Sequence, residues 1–206
     1  MTDEPGLIRA AQQGDLEAFN SLILAHQSRA YNLAFRILGE EHPAADVTQD
    51  AFLSAYRNLR GYRGGSFRAW VLRIVTNASY DELRRRKRRP AISLDSLGEG
   101  PEGDESEAGE FVAASPLEGP EAAAERAELA AAIERCLQTL SAEFRAAAVV
   151  VDVQGHDYAE ASQILQAPVG TVKSRLARAR ARLRDCLALH GELLPASRRL
   201  EEGKPA

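Results

Sequence analysis

The sequence predicts an all-α fold: two small helical domains joined by a flexible acidic linker. Three observations predict it. Apolar residues make up 45% of the 206-residue chain and aromatics only 6%. Alanine leads that apolar share, which favours helix over the β-branched and aromatic composition of strands. On both sides of the middle of the chain, apolar residues recur at helical spacing. Between them, residues 91–120 include Leu97-Gly98-Glu99-Gly100-Pro101-Glu102-Gly103-Asp104-Glu105-Ser106 and hold eight acids and no base. So polar and charged a stretch cannot offset the entropy of ordering, and it reads as a tether. The expected organisation is a domain at 1–90, the linker at 91–120, a second domain at 121–190 and an extension at 191–206.

In the first domain a short helix is expected at residues 5–13. Leu16, Phe19, Ile23, Ala30, Ala34, Ile37 and Leu38 mark the next helix, with Gly39 placed to end it. Pro43 fits the first turn of a third helix, which turns Val47, Ala51, Phe52, Ala55, Tyr56 and Leu59 inward. Gly61, Gly64 and Gly65 break that helix. Phe67, Trp70, Val71, Ile74 and Ala78 mark a fourth, ending in the basic run 84–89. In the second domain, Leu129, Ile133, Leu137 and Leu140 share one face of an Ala-rich helix, and residues 144–153 form a short apolar one. Asp157-Tyr158-Ala159-Glu160 has the form of a capping box opening a helix that runs to about Gln166. Pro168 fits the start of a long basic helix that closes the domain.

Composition excludes several classes. No apolar run approaches the roughly 20 residues of a membrane span, and Met1-Thr2-Asp3-Glu4 lacks the basic start of a secretory signal. No membrane insertion is expected, and a cytoplasmic location is the simplest reading. The net charge of −4 is an average of unlike segments. Residues 1–90 carry +4, residues 91–120 carry −8 and the remainder is neutral. The bases cluster in Arg84-Arg85-Arg86-Lys87-Arg88-Arg89 and in Lys173, Arg175, Arg178, Arg180, Arg182 and Arg184. A polyanion is the natural partner of two such clusters, although a solvated helix face is the ordinary reading of either alone.

Residues 157–184 read as short helix, turn and second helix. Ala161, Ile164 and Leu165 point inward from the first, and Val172, Leu176 and Leu183 from the second. Thr171, Lys173, Ser174, Ala177, Arg178 and Arg182 lie away from that apolar side. An ordinary helical hairpin has the same pattern. A helix-turn-helix puts the start of its second helix in the major groove, where Lys and Arg meet phosphates or guanine edges.

Four motifs in order carry a more specific resemblance. Pro168-Val169-Gly170-Thr171-Val172-Lys173-Ser174-Arg175-Leu176-Ala177-Arg178-Ala179-Arg180 resembles region 4 of the extracytoplasmic-function sigma factors. Asp46-Val47-Thr48-Gln49-Asp50-Ala51-Phe52-Leu53-Ser54-Ala55-Tyr56 resembles their region 2 helix that docks on core RNA polymerase. Phe67-Arg68-Ala69-Trp70-Val71-Leu72-Arg73-Ile74-Val75-Thr76-Asn77, with the basic run, is similar to the part that reads the −10 element. Gly14-Asp15-Leu16-Glu17-Ala18-Phe19 also fits.

The resemblance implies a binding protein rather than an enzyme, without cofactor or metal, that brings polymerase to a promoter. Its partners would be core RNA polymerase (β′ clamp and β flap), promoter DNA and an anti-sigma factor. Asp46, Gln49, Asp50, Leu53 and Arg57 would meet the clamp. Tyr62, Arg63, Ser66, Phe67, Arg73, Ile74 and Asn77 would serve the −10 element, with Arg84, Arg85, Arg86, Lys87 and Arg88 on phosphates. Thr171, Lys173, Ser174, Ala177, Arg178 and Arg182 would serve the −35 element. Trp70 reads as core. Gln166 and Ser162 stand where the family usually has Gly and Ala, and Ala177 replaces a bulkier residue of some relatives. A stand-alone helix-turn-helix regulator is the competing reading, distinguished by having no need of the exposed 46–57 face.

Cys136 and Cys186 lie on apolar helical patterns without neighbouring ligands and read as buried thiols. His26, His42, His156 and His190 are scattered, and no catalytic or zinc-binding spacing is present.

Overall fold

The computed structural model describes residues 3–88 and 120–190, and these contain eight α-helices and no strand. The expected linker and the 191–206 extension lie outside the described residues.

The N-terminal unit comprises α1 (Glu4–Gln12), α2 (Leu16–Leu38), α3 (Glu41–Asn58) and α4 (Phe67–Arg88), with a 3-10 turn at Leu59–Gly61 after α3. Local chemistry sets the boundaries. Asp15 accepts the Ala18 N–H at 3.1 Å and opens α2. Gly39 closes it at φ 79°, its N–H donating to the Phe35 carbonyl at 2.7 Å. Ser66 Oγ accepts the Ala69 N–H at 3.1 Å at the start of α4. Leu22, Leu33, Ile37, Ala51, Ala55, Leu59, Leu72 and Val75 are fully buried between these helices.

The C-terminal unit comprises α5 (Pro120–Gln138), α6 (Ala142–Ala148) running into a π turn at Val149–Val153, α7 (Tyr158–Leu165) and α8 (Val169–Ala188). Asp157 Oδ1 accepts the N–H groups of Ala159 and Glu160, both at 2.8 Å. The reciprocal half of the expected capping box is missing. Glu160 instead meets His156 Nδ1 at 2.9 Å and Arg68 at 3.5 Å. The turn is short, Gln166-Ala167-Pro168, and Pro168 stands at the start of α8 as expected. Gln166 caps α7 at φ 48°, the one non-glycine residue with positive φ among those described. That conformation costs an ordinary side chain about 1 kcal/mol, which Gly would avoid. Ser162 Oγ donates to the Ala167 carbonyl at 2.6 Å and ties the same turn together. Both departures from the family pattern therefore meet in one turn.

The cysteines correct the expectation of free thiols: Cys136 of α5 and Cys186 of α8 form a disulfide, with Cα atoms 5.8 Å apart. Cys136 is buried as expected, whereas Cys186 is only half-buried. Which two faces meet is a property of the packing of α5 against α8, which spacing does not encode.

The two units dock. α4 packs on α7, and α2 packs on α5 and α6. Arg36 pairs with Glu134 at 3.0 Å, and Gln154 donates to the Arg29 carbonyl at 2.9 Å. Arg145, buried despite its charge, donates to the carbonyls of Ile37 at 2.5 Å, Gln138 at 2.9 Å and Leu140 at 3.0 Å. Burial lowers its pKa below the ordinary value.

Candidate nucleic-acid and polymerase interfaces

Three surfaces hold the residues singled out from the sequence. On α3, Asp46, Gln49, Asp50, Leu53 and Arg57 are all exposed, while Ala51 and Ala55 on the other side are buried. Leu53 is 47% exposed, a large apolar side chain beside charged neighbours. It stands with Gln49 on the lip of a groove of about 730 Å³ between α2 and α3. Leu16, Phe19, Ile23, Phe52 and Tyr56 line that groove. Here the expected inward pattern needs correcting. Leu16 and Tyr56 are 58% and 40% exposed, and Phe52 is only half-buried. Helical spacing assigns a side, but here the apolar side chains of α2 and α3 line an open groove rather than a closed core. An open apolar groove beside charged residues is a feature of binding surfaces.

The second surface is the loop between α3 and α4. Gly64 and Gly65 both have positive φ, 98° and 96°, which makes the tight reversal accessible to glycine. Tyr62 Oη donates to the Gly65 carbonyl at 2.7 Å, and Gln12 Nε2 donates to the carbonyls of Leu59 and Tyr62, both at 3.0 Å. Burial raises the Tyr62 pKa, with the Glu4 charge adding to it. The loop therefore has a braced shape. It walls a pocket of about 330 Å³ with Ala69, Trp70, Arg73 and Gln163. Ring centroids of Tyr62, Phe67 and Trp70 are 5.3–5.5 Å apart.

Two expectations change. Phe67 is 1% exposed and belongs to the core, so it supports Tyr62 and Trp70 from beneath and has no face for DNA. Its place at the first turn of α4, pointing back into the bundle, is the reason. Trp70, expected in the core, is half-buried and lines the pocket. Gln12 and Gln163 come from distant elements, so no local motif could have revealed them. Arg63 is exposed, while Ser66, Arg73, Ile74 and Asn77 are half-buried.

The basic end of α4 is unequal. Arg84 pairs with Asp81, and Arg85 reaches Glu82 at 2.6 Å. Arg86 reaches Glu82 at 2.9 Å and Glu40 at 2.6 Å. The Arg86 hydrogen bond is the main cause holding the Glu82 carboxyl below its ordinary pKa, with Arg85 adding to it. Lys87 and Arg88 are exposed and unpaired among the described residues. They are the members of the run most available to phosphate.

The third surface is α8. Val172, Leu176 and Ala179 are buried, and Lys173, Ser174, Ala177, Arg178 and Arg182 project to solvent, with Thr171 half-buried. Lys173 lies 5.2 Å from the Tyr158 ring centre and Arg182 the same distance from that of Phe144. Ser174 Oγ donates to the Thr171 carbonyl at 3.0 Å. Arg180 is held by both oxygens of Asp152, at 3.0 and 2.6 Å, a bond that raises its pKa. Arg178 has no partner among the described residues. Among the described residues no cluster of His, Cys, Asp or Glu could hold a metal ion, and no helix is long and apolar enough to cross a membrane.

The chain is similar to known proteins in sequence and in fold. Residues 22–89 match the family model of Sigma-70 region 2, and residues 130–183 match that of Sigma-70, region 4. The ECF RNA polymerase sigma factor SigE of Mycolicibacterium smegmatis is 36% identical over 178 residues, 86% of this chain and 65% of that relative's length. The RNA polymerase sigma-H factor of Pseudomonas aeruginosa is 37% identical over 175 residues, 84% of this chain and 88% of that relative. The fold is also similar to that of the sigma factor RpoE, solved in complex with the anti-sigma factor NepR from Bartonella quintana. The TM-score is 0.60 at 24% identity, over 82% of this chain and 96% of that one.

Proposed function

The chain belongs to the extracytoplasmic-function RNA polymerase sigma factors, an alternative sigma factor directing promoter-specific transcription, and we propose how its surfaces divide that work. The α3 face, residues 46–57, docks on the β′ clamp of core RNA polymerase. The loop at 61–66, with Trp70, Arg73 and Asn77 of α4, holds an unstacked base of the −10 element, and Lys87 and Arg88 take backbone phosphates. The exposed side of α8 enters the major groove of the −35 element. The C-terminal unit also meets the β flap. The chain works in the cytoplasm as a binding protein rather than an enzyme, and an anti-sigma factor is its regulator.

The observation that carries the reading is the placing of three unlike surfaces on one chain. An exposed apolar-and-acidic helix face, an aromatic pocket and a basic recognition helix suit a protein, a flipped base and a duplex respectively. A stand-alone DNA-binding regulator has no use for the first two. The stretch between Arg88 and Pro120 can extend to about 100 Å at most, enough for the units to engage separated elements.

The DNA assignment has a direct test. Lys173→Ala or Arg178→Ala should weaken binding to a −35 duplex by about 1–3 kcal/mol where the residue reads a base, and relax sequence preference there. A titration at fixed salt measures it. Unchanged affinity and preference in both variants would reject α8 as the reader.

A further inference from the structure

The loop at 61–66 is poorly equipped to hold one shape by itself. Gly61, Gly64 and Gly65 are half of it, and glycine loses more conformational freedom on ordering than any other residue. Gly64 and Gly65 stand at positive φ and offer no side chain to pack. Inside the loop, Tyr62 Oη ties itself to the Gly65 carbonyl at 2.7 Å.

The remaining hold comes from α1. Gln12 is the last residue of that helix. Its Nε2 donates to the carbonyls of Leu59 and Tyr62, each at 3.0 Å, across 47 and 50 residues of sequence. A side-chain amide nitrogen has two N–H groups, so both are engaged at once. The two carbonyls are thereby fixed relative to each other and to α1.

The mounting of this brace is firm at both ends of α1. Next to Gln12, Ala11 is buried, and the corner into α2 is closed by backbone bonds. The Gly14 N–H donates to the Ala11 carbonyl at 3.0 Å and the Asp15 N–H to the Ala10 carbonyl at 3.1 Å. In the first turn, Glu4 Oε2 lies 3.5 Å from His26 Nε2 of α2. The His26 ring centre is 5.6 Å from that of Phe67, which supports the pocket from beneath.

Gln12 is not among the residues lining the pocket. Its bonds go to backbone carbonyls, so they set the course of the loop whatever its side chains read. A binding site discriminates only when its contacts are held to within about 0.5 Å by the groups behind them. The Sigma-70 region 2 match begins at residue 22, so α1 lies outside it.

We propose that Gln12 is a positioning residue of −10 recognition. Through the Leu59 and Tyr62 carbonyls it holds the 61–66 loop in the shape that selects the unstacked base. This rests on the assignment of that pocket to the −10 element. α1 is then part of the promoter reader, although Gln12 itself contacts no base.

The test uses the chain assembled with core polymerase, titrated with fluorescent single strands that carry each of the four bases in turn at every −10 position. Gln12→Met keeps the length and helix preference of the side chain and removes both donors. It should reduce the preference at the unstacked position by about fivefold or more and leave the other positions unchanged. Amide exchange on the same protein should quicken by about tenfold in 61–66 and stay unchanged in α3. Gln12→Glu, of the same shape but without donors, should act alike. Gln12→Lys supplies donors again and should recover most of the preference. Gln13→Met, on the exposed neighbour, should move neither reading. Preference unchanged in both Gln12→Met and Gln12→Glu, or weakened alike at every position as a purely structural role requires, would overturn the proposal. A starting protein that binds every strand alike overturns the pocket assignment, and the proposal with it, before any variant is compared.

Discussion

Reduction of the Cys136–Cys186 bond should lower the unfolding free energy of the oxidised chain by about 4 kcal/mol. The bond joins residues 50 apart in sequence, and in the chain-entropy account a loop of that size constrains the unfolded state by about this amount. The native side of the balance points the same way. Much of the N-terminal half of α5 is exposed, and only Ala132, Cys136 and Leu137 of this helix are buried. Few apolar contacts hold α5 to α8, so the covalent link supplies a large share of its attachment. Glu134 and Gln138, which grip α2, flank Cys136 on the same helix, so their hold on α2 should weaken as well. Cys186 sits near the C-terminal end of α8, away from Lys173 and Ser174, and −35 binding should survive reduction. Urea unfolding followed by circular dichroism, with and without reductant, measures the change. Cys136→Ala with Cys186→Ala should match the reduced protein. A midpoint that reductant does not move would show that the bond contributes nothing to stability. Disulfides are uncommon in reducing compartments, so the redox state around the chain decides which midpoint applies.

The combination Asp50→Arg with Leu53→Ala should weaken binding to core polymerase by about 3 kcal/mol or more, at least a hundredfold. Truncation of a central apolar contact in an interface costs about 2 kcal/mol or more when it is a hot spot. Reversal of a neighbouring charge adds repulsion to the lost attraction. Asp50 and Leu53 are both exposed and stand opposite buried Ala51 and Ala55. The fold should therefore change by no more than about 0.5 kcal/mol. A binding titration against core polymerase and a melting curve on the same protein separate the two effects. Unchanged binding by a folded variant would remove the α3 face from the polymerase interface.

Helix ends were the most legible part of the molecule, because their chemistry is local. Gly39 and Asp157 each act within a few residues of themselves, and the structure uses both as caps. The exposed side of α8 was legible for a related reason, since Val172 and Leu176 leave only one side for Lys173 and Arg178. Features that depend on two distant segments were not legible. The spacing around Cys136 and Cys186 shows two apolar faces without showing that they face each other. Glu160 fits a capping box until Arg68 and His156 compete for its carboxylate. Phe67 and Trp70 exchange the roles expected of them because the loop brings Tyr62 over both. Leu16 and Tyr56 follow the inward pattern yet line an open groove, since periodicity says nothing about how closely neighbouring helices cover each other. The docking of the two units belongs to the same class. Its partners, such as Arg145 and the Ile37 carbonyl, are 108 residues apart.

The central claim is that the chain directs polymerase to promoters through both units. Run-off transcription with core polymerase on a genomic promoter library tests it most directly. The expected result is a set of discrete transcripts that require the chain, whose start sites share one −35 and one −10 sequence. The Asp50→Arg, Leu53→Ala protein should lose those transcripts while still binding the −35 duplex. DNA binding at defined sites without any chain-dependent transcript would contradict the account and favour a regulator that acts without joining polymerase.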